Sequence, residues 1–214
     1  MKILTQNGKM KKASKLVYNF GIPAFRSVTG LKTCPEAGKC VVGCYAKSGS
    51  FLYPNVKNAY EQRLALTQHE NFIGIVTAEI QKLHLMNSEL FIRIHDSGDF
   101  YSEEYTLKWF KIIEANKGVK FYAYTKMVQM FKRLKLLGLV PENLTLIFSY
   151  GGRQDSMIDA NVDRHAKVFE GNVPADYADG THDDMVASCG VSNKIGLVYH
   201  GVKKFSNTQW GEVS

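Results

Sequence analysis

Cys34, Cys40 and Cys44 fall within eleven residues, in the stretch TCPEAGKCVVGCYAKSG (33–49), and the one further cysteine of the chain is Cys189. Pro35, Gly38 and Gly43 keep that stretch out of regular structure, so it reads as a loop on which three thiolates can converge. Thiolates select soft metal centres. Structural zinc takes four protein ligands, often in two Cys-x-x-Cys knuckles, and gaps of five and three residues do not make knuckles. A cubane iron–sulfur cluster is larger, with its irons at separate corners, and irregular spacing round a loop suits it. Single cysteines are often plain buried residues. Three together, with none in the next 144 positions, are hard to read that way. The expected ligands of a 4Fe-4S cluster are therefore Cys34, Cys40 and Cys44, with zinc as the competing metal. Cys189, in DDMVASCGVSNK, is expected in a polar loop and is the candidate fourth ligand.

Elements that can position such a loop lie downstream. ELFIRIH (89–95), VKFYAYT (119–125) and NLTLIFSY (143–150) are short β-rich runs. Between them SEEYTLKWFKIIEANKG (102–118) and MVQMFKRLKLLG (127–138) have helical periodicity. Ser102 can cap the first helix, Glu103 and Glu104 suit its first turn, and Gly118 can end it. Upstream, YPNVKNAYEQRLALTQHENFIGIVTAEIQKLHLM reads as one or two helices with Pro54 near the first start. AKVFEG and KIGLVYH are expected strands, joined by a polar loop. Strand, helix, strand, helix, strand predicts βαβ units and a parallel sheet, open or curled into a partial or complete barrel, in a single α/β domain. Chemistry in such folds sits at the carboxyl ends of the strands. Here those ends are His95-Asp96-Ser97-Gly98-Asp99, Thr125-Lys126, Ser149-Tyr150-Gly151-Gly152-Arg153 and His200-Gly201. Polar loop residues are common at any one strand end, and four on one rim predict a site.

The net charge of +7 is uneven. Lys2, Lys9, Lys11, Lys12, Lys15, Arg26 and Lys32 precede the first acid, Glu36, and account for the whole excess. Residues 1–32 are expected as a basic arm before an α/β iron–sulfur domain at 33–214. The arm suits an acidic protein or a nucleic-acid backbone, and a solvated terminus looks the same. No apolar run is long enough to span a membrane, and the N-terminus lacks the pattern of a secretory signal. A cytoplasmic location is expected, where thiols stay reduced.

Three cysteines followed by βα units, with IRIHDSGDF at the end of the first recognisable strand, resemble the radical S-adenosylmethionine (SAM) superfamily. That resemblance implies a TIM-type barrel, a three-cysteine 4Fe-4S cluster, and SAM held by Ser97, Gly98 and Asp99, with Lys126, Tyr150 or His200 facing substrate. TCPEAGKCVVGCYAKSG, NGKMKKASKLVYNFGIPAF and LVYHG are similar to the phage family called gene product 88. This implies a phage-encoded iron–sulfur protein in the host cytoplasm, with no reaction attached. The chain departs from the radical SAM pattern in its five- and three-residue gaps and in Gly43, where an aromatic residue is usual. Cys189 as fourth ligand would close the open iron. The favoured expectation is a four-cysteine cluster for redox, electron transfer or structure. A radical SAM enzyme and a zinc-stabilised nucleic-acid-binding module are the alternatives.

His69, His84 and His165 are expected at the surface, and His95 and His200 are the better site histidines. His182, in GTHDDM, lies in an acidic loop able to take a cation. Gly151-Gly152-Arg153 can offer backbone donors to an anion. No Ser-His-Asp ordering, glycine-rich phosphate loop or helical His-x-x-x-His pair supports a hydrolase or kinase.

Overall fold

The structure, a computed structural model, describes residues 2–199. Seven strands form one all-parallel sheet: β1 (Leu16–Phe20), β2 (Leu90–Ile94), β3 (Lys120–Thr125), β4 (Leu144–Ser149), β5 (His165–Phe169), β6 (Ala178–Asp179) and β7 (Lys194–Val198). Their order is β1-β2-β3-β4-β5-β7-β6, and the sheet curls through 190° into a half-barrel. Parallel pairing requires crossovers, which helices supply. They are α1 (Pro54–Thr67), α2 (Phe72–Met86), α3 (Glu103–Glu114), α4 (Val128–Leu136) and α5 (Asp184–Cys189). Among the described residues no helix is long and apolar enough to cross a membrane.

Each helix follows from its pattern. Phe72, Val76 and Ile80 recur every four residues and form the buried stripe of α2. Ser102 caps α3, its hydroxyl accepting from Tyr105 N–H at 3.1 Å. The helix stops at Glu114, before Gly118, with Ala115 at its C-cap. Asn116 then donates its side-chain amide to Ile112 O, satisfying a terminal carbonyl. Val128, Phe131 and Leu134 are the buried side of α4.

These stripes cover the outer face of the sheet. Phe20, Ile92, Ile94, Phe121 and Ala123 meet Phe72, Trp109, Phe110 and Phe131 in one apolar core. The rings pack edge to face: Phe20 stands 5.2 Å from Trp109, and Phe100 stands 4.9 Å from Phe131. Strand side chains alternate, so the concave face carries the other residues. Val17, Phe91, Tyr122, Ile147, Ala166 and Ile195 form a second cluster there with Met10, Met185 and Ala187. The 3-10 turn Met10–Lys12 and α5 thus plug the half-barrel from inside.

Two segments differ from expectation. Residues 1–32 are not only an arm: Leu16–Phe20 is the edge strand β1, in register from Leu16↔Leu90 to Phe20↔Ile94, with Val17 and Phe20 fully buried. The lysines that precede it, Lys11, Lys12 and Lys15, hide a short, mostly apolar strand in a basic stretch. The expected polar loop before the last strand contains β6 and α5. Asp183 caps α5, its carboxylate accepting from Met185 N–H at 2.8 Å.

Candidate metal centre

The cysteine loop is bound to the carboxyl rim of the sheet from three directions. From β4, the carbonyl of Gly151 accepts from Gly38 N–H at 3.2 Å and from Cys40 N–H at 3.1 Å. Arg153 N–H donates to Glu36 O at 2.9 Å. The contact is backbone on backbone: a Cβ on Gly38 would meet the Gly152 carbonyl at 2.9 Å. From β2, Asp99 N–H donates to Thr33 O and Ile22 N–H donates to Ser97 O. At the far side of the loop the Tyr45 hydroxyl donates to the carbonyl of Asp96. Its ring meets Phe51, Phe51 meets Tyr60, and the Tyr60 hydroxyl donates to Asp96 Oδ2 at 2.8 Å.

Cys34, Cys40 and Cys44 share one electrostatic neighbourhood. Burial pushes the Cys34 thiol up to about 12, with the charges of Asp99 and Cys44 adding to the rise and Lys126 opposing it. Burial also raises Cys40, and Lys126 again pulls the other way. Phe25 N–H donates to Cys34 Sγ at 3.4 Å, the kind of bond that cluster sulfurs accept. A metal here must expel protons from thiols that burial holds neutral, so loading releases protons. Among the described residues no three His, Cys, Asp or Glu side chains converge tightly enough to hold a single metal ion. Ligands of a cubane stand further apart, one per corner. An all-thiol donor set on a pinned loop fits that group.

Cys189 ends α5, exposed, with its thiol donating to Met185 O at 3.3 Å. Arg164 takes the carbonyls of Val186, Ala187 and Gly190, and Cys189 and Tyr124 both act on its charge. Tyr124 is coupled to Tyr45, and Tyr45 to Cys44. No contact joins Cys189 to the cysteine loop among the described residues, and its charge does not figure among those acting on Cys34 or Cys40.

Ser97, Gly98 and Asp99 are turned inward. Asp99 Oδ1 accepts from Phe100 N–H and the Thr125 hydroxyl, both at 2.7 Å, and Oδ2 accepts from Lys126 N–H at 2.9 Å. Burial nonetheless raises its pKa. Gly98 has φ +83°, and a Cβ there would meet Ile22 Cγ1 at 2.3 Å, so only glycine fits. The segment clamps residues 22–33 onto β2.

Lys126 donates to Ser149 Oγ at 2.8 Å and stands beside the thiols. Tyr150 belongs to the outer core, away from them. His200 lies outside the described residues. His95 is a correction: it is buried on the helix side, its Nε2 2.8 Å from the Tyr105 hydroxyl and its ring against Phe100. Burial lowers its pKa to about 3, so it is neutral. His165 is a second correction, fully buried between Tyr150 and Tyr177, while His69 is exposed and His84 half-buried. The backbone donors at Gly151 and Gly152 are taken by Asp155, at 2.8 Å each. The acids beside His182 are spent on capping α5 and on ion pairs.

Sequence reasoning missed the ionic group on the concave face. Asp184 lies 2.6 Å from Lys9 Nζ and 3.3 Å from Arg93, and accepts from the Tyr122 hydroxyl at 2.8 Å. Burial pushes the Asp184 carboxyl up, but Arg93 and Lys9 outweigh that and hold it below the usual carboxylate range. The signal was present: Arg93 interrupts an otherwise apolar strand, LFIRI.

The chain matches the family described as Gene product 88 over residues 1–206, nearly its whole length. It belongs to the Gene product 88 family. No curated protein matches it. No solved structure matches it either. In this family member the matched region contains all four cysteines and the turn at Gly151–Arg153 that pins their loop.

Proposed function

We propose that this chain is a phage-encoded iron–sulfur protein of the host cytoplasm, with a 4Fe-4S cluster on Cys34, Cys40, Cys44 and Cys189. The observation that carries the reading is the loop itself: three neighbouring cysteines on a loop pinned to the carboxyl rim, with Cys34 and Cys40 sharing the charges of Asp99 and Lys126. A cubane supplies one-electron redox chemistry and ties distant segments together. The protein's part is to hold the ligands, cover Cys34 with Phe25 N–H, and place Lys126 against the negative charge of the thiolates. Redox transfer, sensing or structural support are the roles open to a centre closed by four cysteines.

A radical SAM enzyme is the second reading, supported by the half-barrel and by a cysteine loop at its carboxyl rim. The engagement of both Asp99 oxygens and the tight fit of Gly98 disfavour SAM at that segment. A zinc-stabilised nucleic-acid-binding module is the third.

Anaerobic purification with iron supplied, followed by iron, sulfide and zinc analysis, tests the reading. A brown protein with about four irons and four sulfides per chain is expected. Alanine at each of the four cysteines is expected to abolish the cluster. With dithionite and SAM, little or no 5′-deoxyadenosine is expected. Stoichiometric zinc without sulfide would overturn the cluster. A Cys189→Ala protein that keeps its cluster and shifts its paramagnetic resonance on adding SAM would replace this reading with the radical SAM enzyme.

A further inference from the structure

The cations near the N-terminus are used in two ways. Lys9 is drawn into the half-barrel against Asp184, and Lys15 pairs with Glu89 at 2.5 Å. Arg26, Lys32 and Lys47 instead gather round the ring of Phe25, at 6.0, 6.0 and 5.4 Å from its centroid. An antiparallel bridge between Arg26 and Lys32 holds the first two together. Among the described residues none of the three has a carboxylate partner. Their donors go to backbone carbonyls: Arg26 to Gly30 O and Lys32 to Pro35 O, both at 2.7 Å, and Lys47 to Val41 O at 2.9 Å. A carbonyl satisfies the hydrogen bond and leaves the charge. Of the nearby acids, Glu61 accepts from Val28 N–H, and Glu36 follows Pro35 in the loop.

Phe25 ties this collar to the cysteines. Its φ of +61° lies in the left-handed region, costly for a bulky residue. That conformation accompanies its N–H bond to Cys34 Sγ. Val28 and Val42 project beside the collar, each 85% exposed.

We propose that the Phe25 collar is the docking face for a small acidic electron-transfer protein that exchanges single electrons with the centre on the cysteine loop. The purpose of the face rests on the cluster reading; the face itself rests on the charge arrangement. Unpaired like charges steer an acidic partner, the two valines give an apolar contact, and Phe25 is one hydrogen bond from a ligand sulfur. Electron-transfer encounters are weak and bury less than about 1,200 Å², so a compact patch suffices. A nucleic acid would favour cations strung along a backbone track, and Lys9 and Lys15 have been withdrawn from such a track. In the transfer a reduced 2Fe–2S ferredoxin loses one electron, the cluster gains it, and no bond or proton moves.

The test uses the whole chain and reduced plant-type ferredoxin as probe. For each protein the rate of cluster reduction by ferredoxin is divided by the rate with dithionite. Arg26→Glu/Lys47→Glu is expected to lower that ratio tenfold or more at low ionic strength, the deficit shrinking as salt is raised. The same charge change at Lys11→Glu/Lys12→Glu is expected to leave the ratio unchanged. Equal ratios for the two double variants, or a deficit indifferent to salt, would overturn the proposal. Carbodiimide cross-linking to ferredoxin maps the face whether or not a cluster is present, and links through Lys32 and Lys47 are expected. Links confined to Lys11 and Lys12, or none, would overturn the face; absent sulfide with the expected links would overturn the cluster reading alone. Binding of a single-stranded DNA 20-mer that the Arg26/Lys47 variant abolishes, without ferredoxin links, would assign the face to nucleic acid.

Discussion

The outer face of the sheet meets its helices through rings, with Phe20, Phe72 and Trp109 packed edge to face on one another and Phe131 edge to face on Phe100, whereas the concave face holds a buried carboxylate between two cations. Both faces bury apolar clusters, but they depend on different physics. The outer face is stabilised by buried area, which is additive and tolerant of apolar exchange. The concave face is stabilised by matched charge, and a matched set fails when one member is lost. The cysteine loop rests on the rim where the two faces meet. It takes both its fixed anchor and its charged neighbours, Asp99 and Lys126, from the segments that follow the strand ends.

The largest expected effect is on the outer face. Trp109→Ala should cost about 3–5 kcal/mol in chemical denaturation, because Trp109 is fully buried and touches three other rings. Next is Asp184→Ala, expected to cost about 3 kcal/mol by stranding Arg93 in the interior. The double change Arg93→Met/Asp184→Leu should recover most of that loss. If it does not, the contrast between area and matched charge is wrong.

The third expectation concerns acid. His95 is neutral when folded, with its pKa lowered to about 3, and takes a proton when the chain unfolds. Its contribution is complete above the ordinary histidine pKa and falls as pH drops from there towards about 3, by at most about 1.4 kcal/mol per pH unit. Asp184 acts in the same direction lower down: its carboxyl is depressed, so its contribution disappears as pH falls through that depressed value. Urea denaturation between pH 7 and pH 4 should show a flatter profile for His95→Asn, a residue that tolerates positive φ. An unchanged slope would remove His95 from the acid response. The smallest effect is expected at Gly38→Ala, about 1 kcal/mol or less in global stability. Its added Cβ presses on the Gly152 carbonyl, so the cysteine loop should lift and Cys34 should react faster with a thiol reagent.

The βαβ run from 89 to 150 was legible because its periodicities switch cleanly and Ser102 marks a helix start. The parallel sheet followed from that run; its curl did not, because such units suit an open sheet or a barrel, and the barrel expectation came from the family resemblance. β1 was not legible, since three lysines crowd the residues before it and its partner β2 is far along the chain. α5 was hidden by its own polar residues, whose side chains serve as cap and ion-pair members. The cysteine loop stood out by spacing alone. Its anchors did not, because Gly151 acts through its carbonyl and Arg153 through its N–H, groups the backbone carries whatever the side chain. His95 looked like a strand-end site residue. Which side of the sheet it faces is decided by a left-handed backbone angle that the sequence does not announce.

The pairing of β1 with β2 also orders events in time. A ribosome delivers β1 and the cysteine loop first, yet β1 can pair only after both crossover helices and β2 have emerged. The Gly151 carbonyl that receives Gly38 and Cys40 comes later still, at the end of β4. Closing contacts this distant in sequence is slow. Through most of synthesis the three thiols therefore travel on an unpinned tether, open to oxidants and to whatever delivers metal. If the proposed cluster forms, its assembly is expected to be a late, nearly post-synthetic event, and chains truncated before β4 should expose three reactive thiols and carry no colour.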